Sequence, residues 1–166
     1  MPDARPTASP TPVPNGYRTV THVLVVDDAA KALEFYAKAL GAKVRSRTPG
    51  PGGKVWHAEI EIGDSVVMLS DEFPGSDLKS PKALGGTSGA VWLYVADVDA
   101  AFRQAVAAGA KASQPPRTMF WGDRFGAIVD PFGHTWSIAT HVEDVPPAEL
   151  ERRRQAAMSG SSAPPS

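Results

Sequence analysis

The sequence predicts an α+β protein built from two tandem copies of a β-α-β-β-β unit. Two observations predict this fold class. Short apolar stretches with strand-like alternation surround an amphipathic helical stretch, and this order occurs twice along the chain. The helix caps, helix stops and final turns of the two copies also keep register at a period of about 70 residues, which is longer than a solenoid repeat.

The first copy begins with a Val-rich strand predicted over residues 17–26. Asp28 is a suitable N-cap for a helix over residues 29–40, and Gly41 is a suitable residue to end it. The Gly63-Asp64 pair predicts a hairpin between the last two strands. The remaining strands are predicted over residues 43–47, 55–62 and 65–70, and a loop follows over 71–87.

The second copy repeats this order from a strand predicted over residues 90–95. Asp97 takes the place of Asp28 as helix N-cap, and Gly109 follows a helix that ends at Ala108. The turn Asp130-Pro131-Phe132-Gly133 leads into the final strand. The remaining strands are predicted near residue 111, over 124–129 and over 134–140, with an irregular segment at Pro115-Pro116.

The two copies, at about residues 17–72 and 86–142, are predicted to form one domain over residues 17–145. Residues 1–16 are rich in Pro, Ser, Thr and Ala and have little to bury, which predicts a disordered tail. In the C-terminal segment, 146–166, the Pro146-Pro147 step opens a polar helix over 148–158, and a second disordered tail follows from Ser159.

The composition is typical of a globular protein and argues against nucleic-acid binding, cysteine chemistry and membrane association. With 17 basic and 18 acidic residues the formal net charge is -1, so the chain lacks the basic field that nucleic acid requires. The absence of cysteine excludes disulfides and thiolate chemistry. No apolar run is long enough to cross a membrane and no signal peptide is apparent, so we expect a cytoplasmic protein without a membrane partner.

Five sequence motifs occur in a fixed order along the predicted domain. They are Val26-Asp27-Asp28-Ala29-Ala30 with Leu33-Glu34-Phe35-Tyr36 and Leu40-Gly41-Ala42; His57-Ala58-Glu59 with Ile62-Gly63-Asp64-Ser65; Tyr94-Val95 with Asp97-Val98-Asp99; Met119-Phe120-Trp121-Gly122-Asp123-Arg124; and Asp130-Pro131-Phe132-Gly133-His134. In this order they resemble the vicinal oxygen chelate superfamily of glyoxalase I, bleomycin-resistance proteins and extradiol dioxygenases, and most of all its PhnB-like branch. The resemblance implies two modules whose curved mixed sheet surrounds a cavity, a small-molecule ligand and a homodimer.

Metal-dependent members of this superfamily hold a divalent ion with His and Glu side chains on the first and last strands of each module. The matching positions here are Thr21, Ala90, Ser137 and, after Gly63, Val67 or Met68. None of these is a good ligand, so no metal site and no cofactor are predicted. His22 is one residue out of phase with Thr21, which places it on the strand face of Leu24 and Val26 as a structural or edge histidine. A shifted register would make His22 a candidate ligand.

A second group of candidates lies on the strand predicted over residues 55–62. There His57, Glu59 and Glu61 share one face, opposite an apolar face. A His-x-Glu pair on a strand suits acid/base catalysis, so His57 and Glu59 are candidate catalytic residues. A charged, half-hydrated strand face is the alternative.

The candidate ligand-binding residues come from the second copy. Trp92 and Tyr94 share a strand face opposite Val91 and Leu93, and two adjacent rings suit an aromatic ligand. The other candidates are Trp121, which would stack on a ligand or on a dimer partner, Arg124, which would clamp an anion or pair with Asp123, and the hydroxyls of Ser137 and Thr21. His141 has no partner that the sequence identifies.

These residues favour a metal-free protein that binds an aromatic or amphipathic small molecule for sequestration or resistance. The alternative is a glyoxalase-like enzyme, either metal-dependent (a lyase, isomerase or dioxygenase) or transferring protons with His57 and Glu59.

Overall fold

The structure is a computed structural model and describes residues 11–160. Its elements, in chain order, are β1 (His22–Val26), α1 (Ala29–Leu40), β2 (Lys43–Pro49), β3 (Val55–Ile62), β4 (Ser65–Asp71), α2 (Pro81–Leu84), β5 (Ala90–Tyr94), α3 (Val98–Ala107), β6 (Lys111–Thr118), β7 (Asp123–Val129), β8 (Thr135–His141) and α4 (Pro147–Gly160). Of the disordered tails predicted over residues 1–16 and 159–166, residues 1–10 and 161–166 lie outside the described residues, and α4 continues through Ser159 and Gly160.

The strands form two four-stranded mixed sheets with the same topology. The first sheet has the order β1-β4-β3-β2 and the second sheet the order β5-β8-β7-β6. In each, the first strand pairs in parallel with the last, and the other pairs are antiparallel. The parallel pair requires a crossover, which the helix after the first strand provides. The predicted α+β fold with two tandem modules is therefore confirmed.

The largest differences from the prediction lie at β1, in the loop between the modules and in β6. β1 begins at His22 rather than at residue 17, and the loop between the modules contains the short helix α2. β6 continues through Pro115 and Pro116, where the sequence predicts an irregular segment. β6 is an edge strand with register shifts on both sides of Gln114, and an edge with bulges tolerates residues that lack a backbone N–H.

Equivalent contacts fix the start of α1 and of α3. The side chains of Asp28 and Asp97 accept hydrogen bonds from the backbone N–H of Lys31 and Ala100, as the N-cap prediction requires. A residue at the end of each sheet's central strand adds a second contact, because Asp71 accepts from Ala29 N and Thr140 from Val98 N. Each helix start is thereby tied to its own sheet.

The core lies where the helices meet between the modules. α1 contacts α3, and Gln104 Nε2 donates a 2.7 Å hydrogen bond to the carbonyl of Lys38. The ring of Tyr36 in α1 lies 5.4 Å from that of Trp136 in β8, so the two modules share one buried cluster. The helices cover one face of each sheet and leave side chains of the other face, such as Trp92 and Val23, exposed.

A buried carboxylate joins the modules at the turn before β8. Asp130 is 4% exposed, and its Oδ2 accepts from the Tyr36 hydroxyl at 2.7 Å and from Trp136 Nε1 at 2.9 Å. Its Oδ1 accepts from the backbone N–H of Phe132 and of His134, each at 2.9 Å. Four donors satisfy this carboxylate, so burial costs little while the contacts hold.

Candidate functional site

An aromatic face, made of Trp92, Tyr94 and Phe125, lies on the side of the second sheet opposite α3. The sheet register places Tyr94, Ala139 and Phe125 in one row, and the next row contains Trp92. Trp92 stacks on Phe125 with ring centroids 5.0 Å apart and planes inclined by 5°, and the Tyr94 ring lies 6.1 Å from Trp92. Trp92 is 45% exposed and Tyr94 60% exposed, so the face is open to a ligand.

A groove of about 520 Å³ runs along β5 at the junction of the modules, and we call it the β5 groove. From the second module it is lined by both faces of the edge strand β5, since Val91 and Leu93 contribute together with Trp92 and Tyr94. The hairpin residues Ile62–Ser65 and the end of α1 at Leu40 line it from the first module. Its volume falls in the range of about 300–1,000 Å³ that small-molecule sites occupy. The two aromatic candidates therefore adjoin a ligand-sized space at the edge of the second sheet.

A buried carboxylate organises one end of the aromatic face. Asp123 is 3% exposed, and its Oδ2 accepts from the Tyr94 hydroxyl at 3.0 Å and from Trp121 Nε1 at 3.1 Å. Its Oδ1 lies 2.8 Å from Nδ1 of His141. Burial by itself would raise the pKa of Asp123, but the hydrogen bonds from His141, Tyr94 and Trp121 outweigh burial and hold that pKa below its usual range.

His141 lies between two carboxylates. Its Nδ1 contacts Asp123, and its Nε2 lies 3.0 Å from Oδ1 of Asp144, whose side chain is fully exposed. The hydrogen bonds to Asp123 and then to Asp144 raise the pKa of His141 above its ordinary value. The imidazolium form is therefore favoured beside the aromatic face.

This raised pKa predicts a pH-dependent stability. The stabilisation by protonated His141 is fully present below the unfolded pKa of about 6.5 and is lost as pH rises through the higher folded pKa. We expect the wild type to be more stable than His141→Gln near pH 6 and the gap to narrow towards about pH 9. Urea midpoints of both proteins across this range measure the gap. A difference in stability between the two proteins that does not vary with pH would contradict the raised pKa of His141.

Trp121 and Arg124 have different surroundings. Trp121 contacts Asp123 and packs edge-on against Phe120 at 5.0 Å, next to the aromatic face. Arg124 lies on the opposite side of the sheet, where it forms a bidentate ion pair with Asp99 of α3 at 2.6 and 2.7 Å. Its partner is thus Asp99 rather than Asp123, and the pair leaves Arg124 away from the aromatic rings.

The two predicted hydroxyls are separated. Ser137 lies directly across from Trp92 in the β5–β8 register and is 8% exposed, so it lies beneath the aromatic face. Thr21 precedes β1 and lines a different cavity, of about 410 Å³, with Tyr17 and Met68. The structure therefore brings Ser137, but not Thr21, to Trp92 and Tyr94.

His57 and Glu59 share a face of the first sheet, as their spacing predicts. His57 Nε2 lies 3.4 Å from Glu59 Oε1, which is a long contact. Interaction with the Tyr17 hydroxyl is the main cause that lowers the pKa of Glu59. The ionised form of Glu59 is therefore favoured, and the pair lies on the other sheet from Trp92 and Tyr94.

His22 faces the helix side of the first sheet. It pairs with Val67 and shares its strand face with Leu24, but Leu24 is buried whereas His22, at the start of β1, is exposed. His22 lines a cavity of about 200 Å³ with His134, and burial followed by the proximity of His134 lowers its pKa. The Nε2 atom of His134 lies 3.0 Å from the Val25 carbonyl oxygen, which supports a structural role for that histidine.

The positions that hold the metal in metal-dependent relatives carry unsuitable side chains. Thr21, Ala90, Ser137 and Met68 offer hydroxyls, a methyl group and a thioether instead of imidazole and carboxylate donors. Within residues 11–160, no three His, Asp or Glu side chains are arranged so that they could hold a metal ion. The residues present do not fit the family's metal site.

Sequence reasoning missed Asp123, His141 and Phe125 as members of the site. Alternation along β8 places His141 four residues after Ser137 and therefore on the same face, which was a usable signal. The contact of His141 with Asp123 depends on the β7–β8 register, in which these two residues are paired. No pattern within either strand reveals that register.

Comparison with known proteins identifies relatives of the whole domain. An uncharacterized protein of Mycobacterium tuberculosis is 46% identical over 139 residues, which cover 82% of this chain and 79% of that one. The crystal structure of TioX from Micromonospora sp. ML1 has 27% identity and a TM-score of 0.59, covering 74% of this chain and 97% of TioX.

A PhnB protein from Bacillus cereus, at 16% identity and a TM-score of 0.58, matches 74% of this chain and 99% of its own and shares the fold alone. None of the helices in residues 11–160 combines the length and apolar character needed to cross a membrane. The sequence model of the Glyoxalase/Bleomycin resistance protein/Dioxygenase superfamily matches residues 19–138, and the chain belongs to this superfamily.

Proposed function

We propose that this protein is a metal-free binding protein that holds a planar aromatic or amphipathic small molecule for sequestration or resistance. The ligand lies in the β5 groove with its ring system against Trp92 and Tyr94. One observation carries the proposal: two large, exposed aromatic side chains adjoin a ligand-sized groove.

The arrangement of the rings supports a flat ligand. Phe125 holds the Trp92 indole in a parallel stack from one side, which orders the ring before a ligand arrives. The Tyr94 hydroxyl is held by Asp123, so this ring is also ordered. Ordered rings lose little conformational freedom on binding, and contact with a flat aromatic surface gains both apolar burial and stacking.

Calorimetric titration with metallated bleomycin and a panel of planar aromatic natural products tests the proposal. We expect saturable binding of at least one compound and about tenfold or greater weakening in Trp92→Ala, because that variant loses a stacking surface. Trp56→Ala is the matched control, since Trp56 is also exposed and packs on Phe73 at 4.8 Å on the other module. The absence of saturable binding across the panel would falsify the proposal.

Proton-transfer catalysis by His57 and Glu59 is the second candidate. The 3.4 Å contact between their side chains favours it, and the lowered pKa of Glu59, caused mainly by Tyr17, weighs against Glu59 as a general base. Mass spectrometry of a bound compound after incubation separates the two functions. Conversion by the wild type that disappears in His57→Ala, while binding persists, would establish the enzyme instead.

Membership of the PhnB-like branch, a homodimer and a cytoplasmic location are further proposals. The resemblance of the sequence motifs supports the first two, and the location rests on the composition of the chain.

A further inference from the structure

We propose that the end of the aromatic face is an anion subsite, in which Nε2 of His141 receives the carboxylate of an aromatic acid. The proposal rests on the proposed function, because the ring system of the same ligand lies against Trp92 and Tyr94. It adds the chemical class of the ligand, namely a flat aromatic body that carries an acidic group at one end.

Asp123 orients the imidazole of His141. Asp123 is almost fully buried and holds Nδ1 at 2.8 Å, so the ring is fixed from behind and Nε2 points away from this carboxylate. The same carboxylate holds the Tyr94 hydroxyl at 3.0 Å and Trp121 Nε1 at 3.1 Å. One buried group therefore positions the cation and two aromatic side chains together, as a preorganised site requires.

A carboxylate of the protein itself already contacts Nε2 of His141. Oδ1 of Asp144 lies 3.0 Å from this nitrogen, so the structure holds a carboxylate where the ligand's carboxylate would bind. The side chain of Asp144 is fully exposed, and exposed ion contacts contribute little to stability. A ligand that gains ring contacts in addition to the ion contact can displace such a side chain.

Charged side chains surround His141. Asp123 and Asp144 face its two nitrogens, and the Tyr94 hydroxyl shares Asp123. Neighbouring Glu143 pairs with Arg153 of α4 at 2.7 Å. Arg124 is held by Asp99 on the other side of the sheet, so it does not supply positive charge to the aromatic face. Protonated His141, flanked by Asp123 and Asp144, is thus the cationic group that shares Asp123 with Tyr94 and Trp121.

The test compares two probes of the same shape, 2-naphthoate and the neutral 2-naphthalenemethanol, by calorimetry at about pH 6 and pH 9. We expect naphthoate to bind more tightly at the lower pH, since His141 is then charged, and the alcohol to show no such preference. In His141→Gln the pH preference for naphthoate should disappear while the alcohol still binds.

The Asp144→Ala variant provides the most specific test of the anion subsite. Removal of a competing carboxylate should tighten naphthoate binding by about two- to fivefold and leave the alcohol unchanged. Asp77→Ala removes the same charge from an exposed position between the modules and serves as the control for net charge. Equal tightening in both variants would show a general charge effect and overturn the subsite.

The outcomes separate this inference from the proposed function. If the alcohol binds but naphthoate shows neither pH preference nor a response to Asp144→Ala, the anion subsite is wrong and the proposed aromatic binding stands.

A benzoate titration followed by NMR of the His141 ring signals tests the subsite without the larger ring system, and His141→Gln identifies these signals. We expect a saturable shift that is stronger in Asp144→Ala; an unperturbed His141 signal would overturn the proposal.

Discussion

Replacement of Asp130 by alanine should lower the free energy of unfolding by about 3–5 kcal/mol, the largest effect that we expect from a single polar substitution in this chain. The carboxylate accepts four hydrogen bonds, from the Tyr36 hydroxyl, from Trp136 Nε1 and from the backbone N–H groups of Phe132 and His134. Its loss leaves buried donors without acceptors at the point where α1 meets the second sheet. Urea denaturation at neutral pH measures the change.

Asp97→Ala is the matched control for Asp130→Ala. Asp97 also accepts a backbone hydrogen bond, from Ala100, but it caps α3 at an exposed position. Loss of an exposed N-cap costs about 1 kcal/mol. A similar loss in both variants would contradict the role assigned to Asp130, because burial would then make no difference.

Gly122→Ala should cost about 2–4 kcal/mol and should also disturb the His141 site. Gly122 has φ +98°, and a Cβ there would collide with the carbonyl oxygen of Glu143 and lie 3.1 Å from Val145 Cγ2. The backbone N–H groups of Val142 and Glu143 both donate to the Gly122 carbonyl, so the segment after β8 lies directly on this turn. The alanine would therefore displace the segment that contains Asp144.

Gly52→Ala separates backbone strain from the collision. Gly52 also has a positive φ, +66°, but a Cβ there would meet nothing within 4 Å, so only about 1 kcal/mol of strain is expected. Thermal or urea unfolding of both variants gives the comparison, and the NMR signal of His141 reports the local change. An unchanged His141 signal in Gly122→Ala would show that this turn does not position the site.

Much of the fold follows from local patterns in the sequence. Alternation in β3 predicts that Ala58, Ile60 and Ile62 share a face, and the structure buries all three. The caps at Asp28 and Asp97 are correct because a side-chain oxygen followed by an amphipathic stretch defines a helix start within a few residues. The β6 strand through Pro115 and Pro116 was missed, because local propensity does not reveal that the strand is an edge.

The candidate site was only partly predictable. Alternation within β5 identified Trp92 and Tyr94, since their faces depend on one strand alone. Local patterns did not identify the partner of Arg124, because its bond to Asp99 joins β7 to α3 across 25 residues. Asp123 and His141 likewise meet only through the pairing of β7 with β8.

The sequence by itself determined the order of the elements, the two modules and the faces of the strands. These depend on the spacing of residues that are close in the chain. The tertiary structure alone decided the β5 groove, the burial of Asp123 and the position of His141 between two carboxylates. The physical reason is that these features depend on strand register and on the packing of one module against the other, which join residues far apart in the chain.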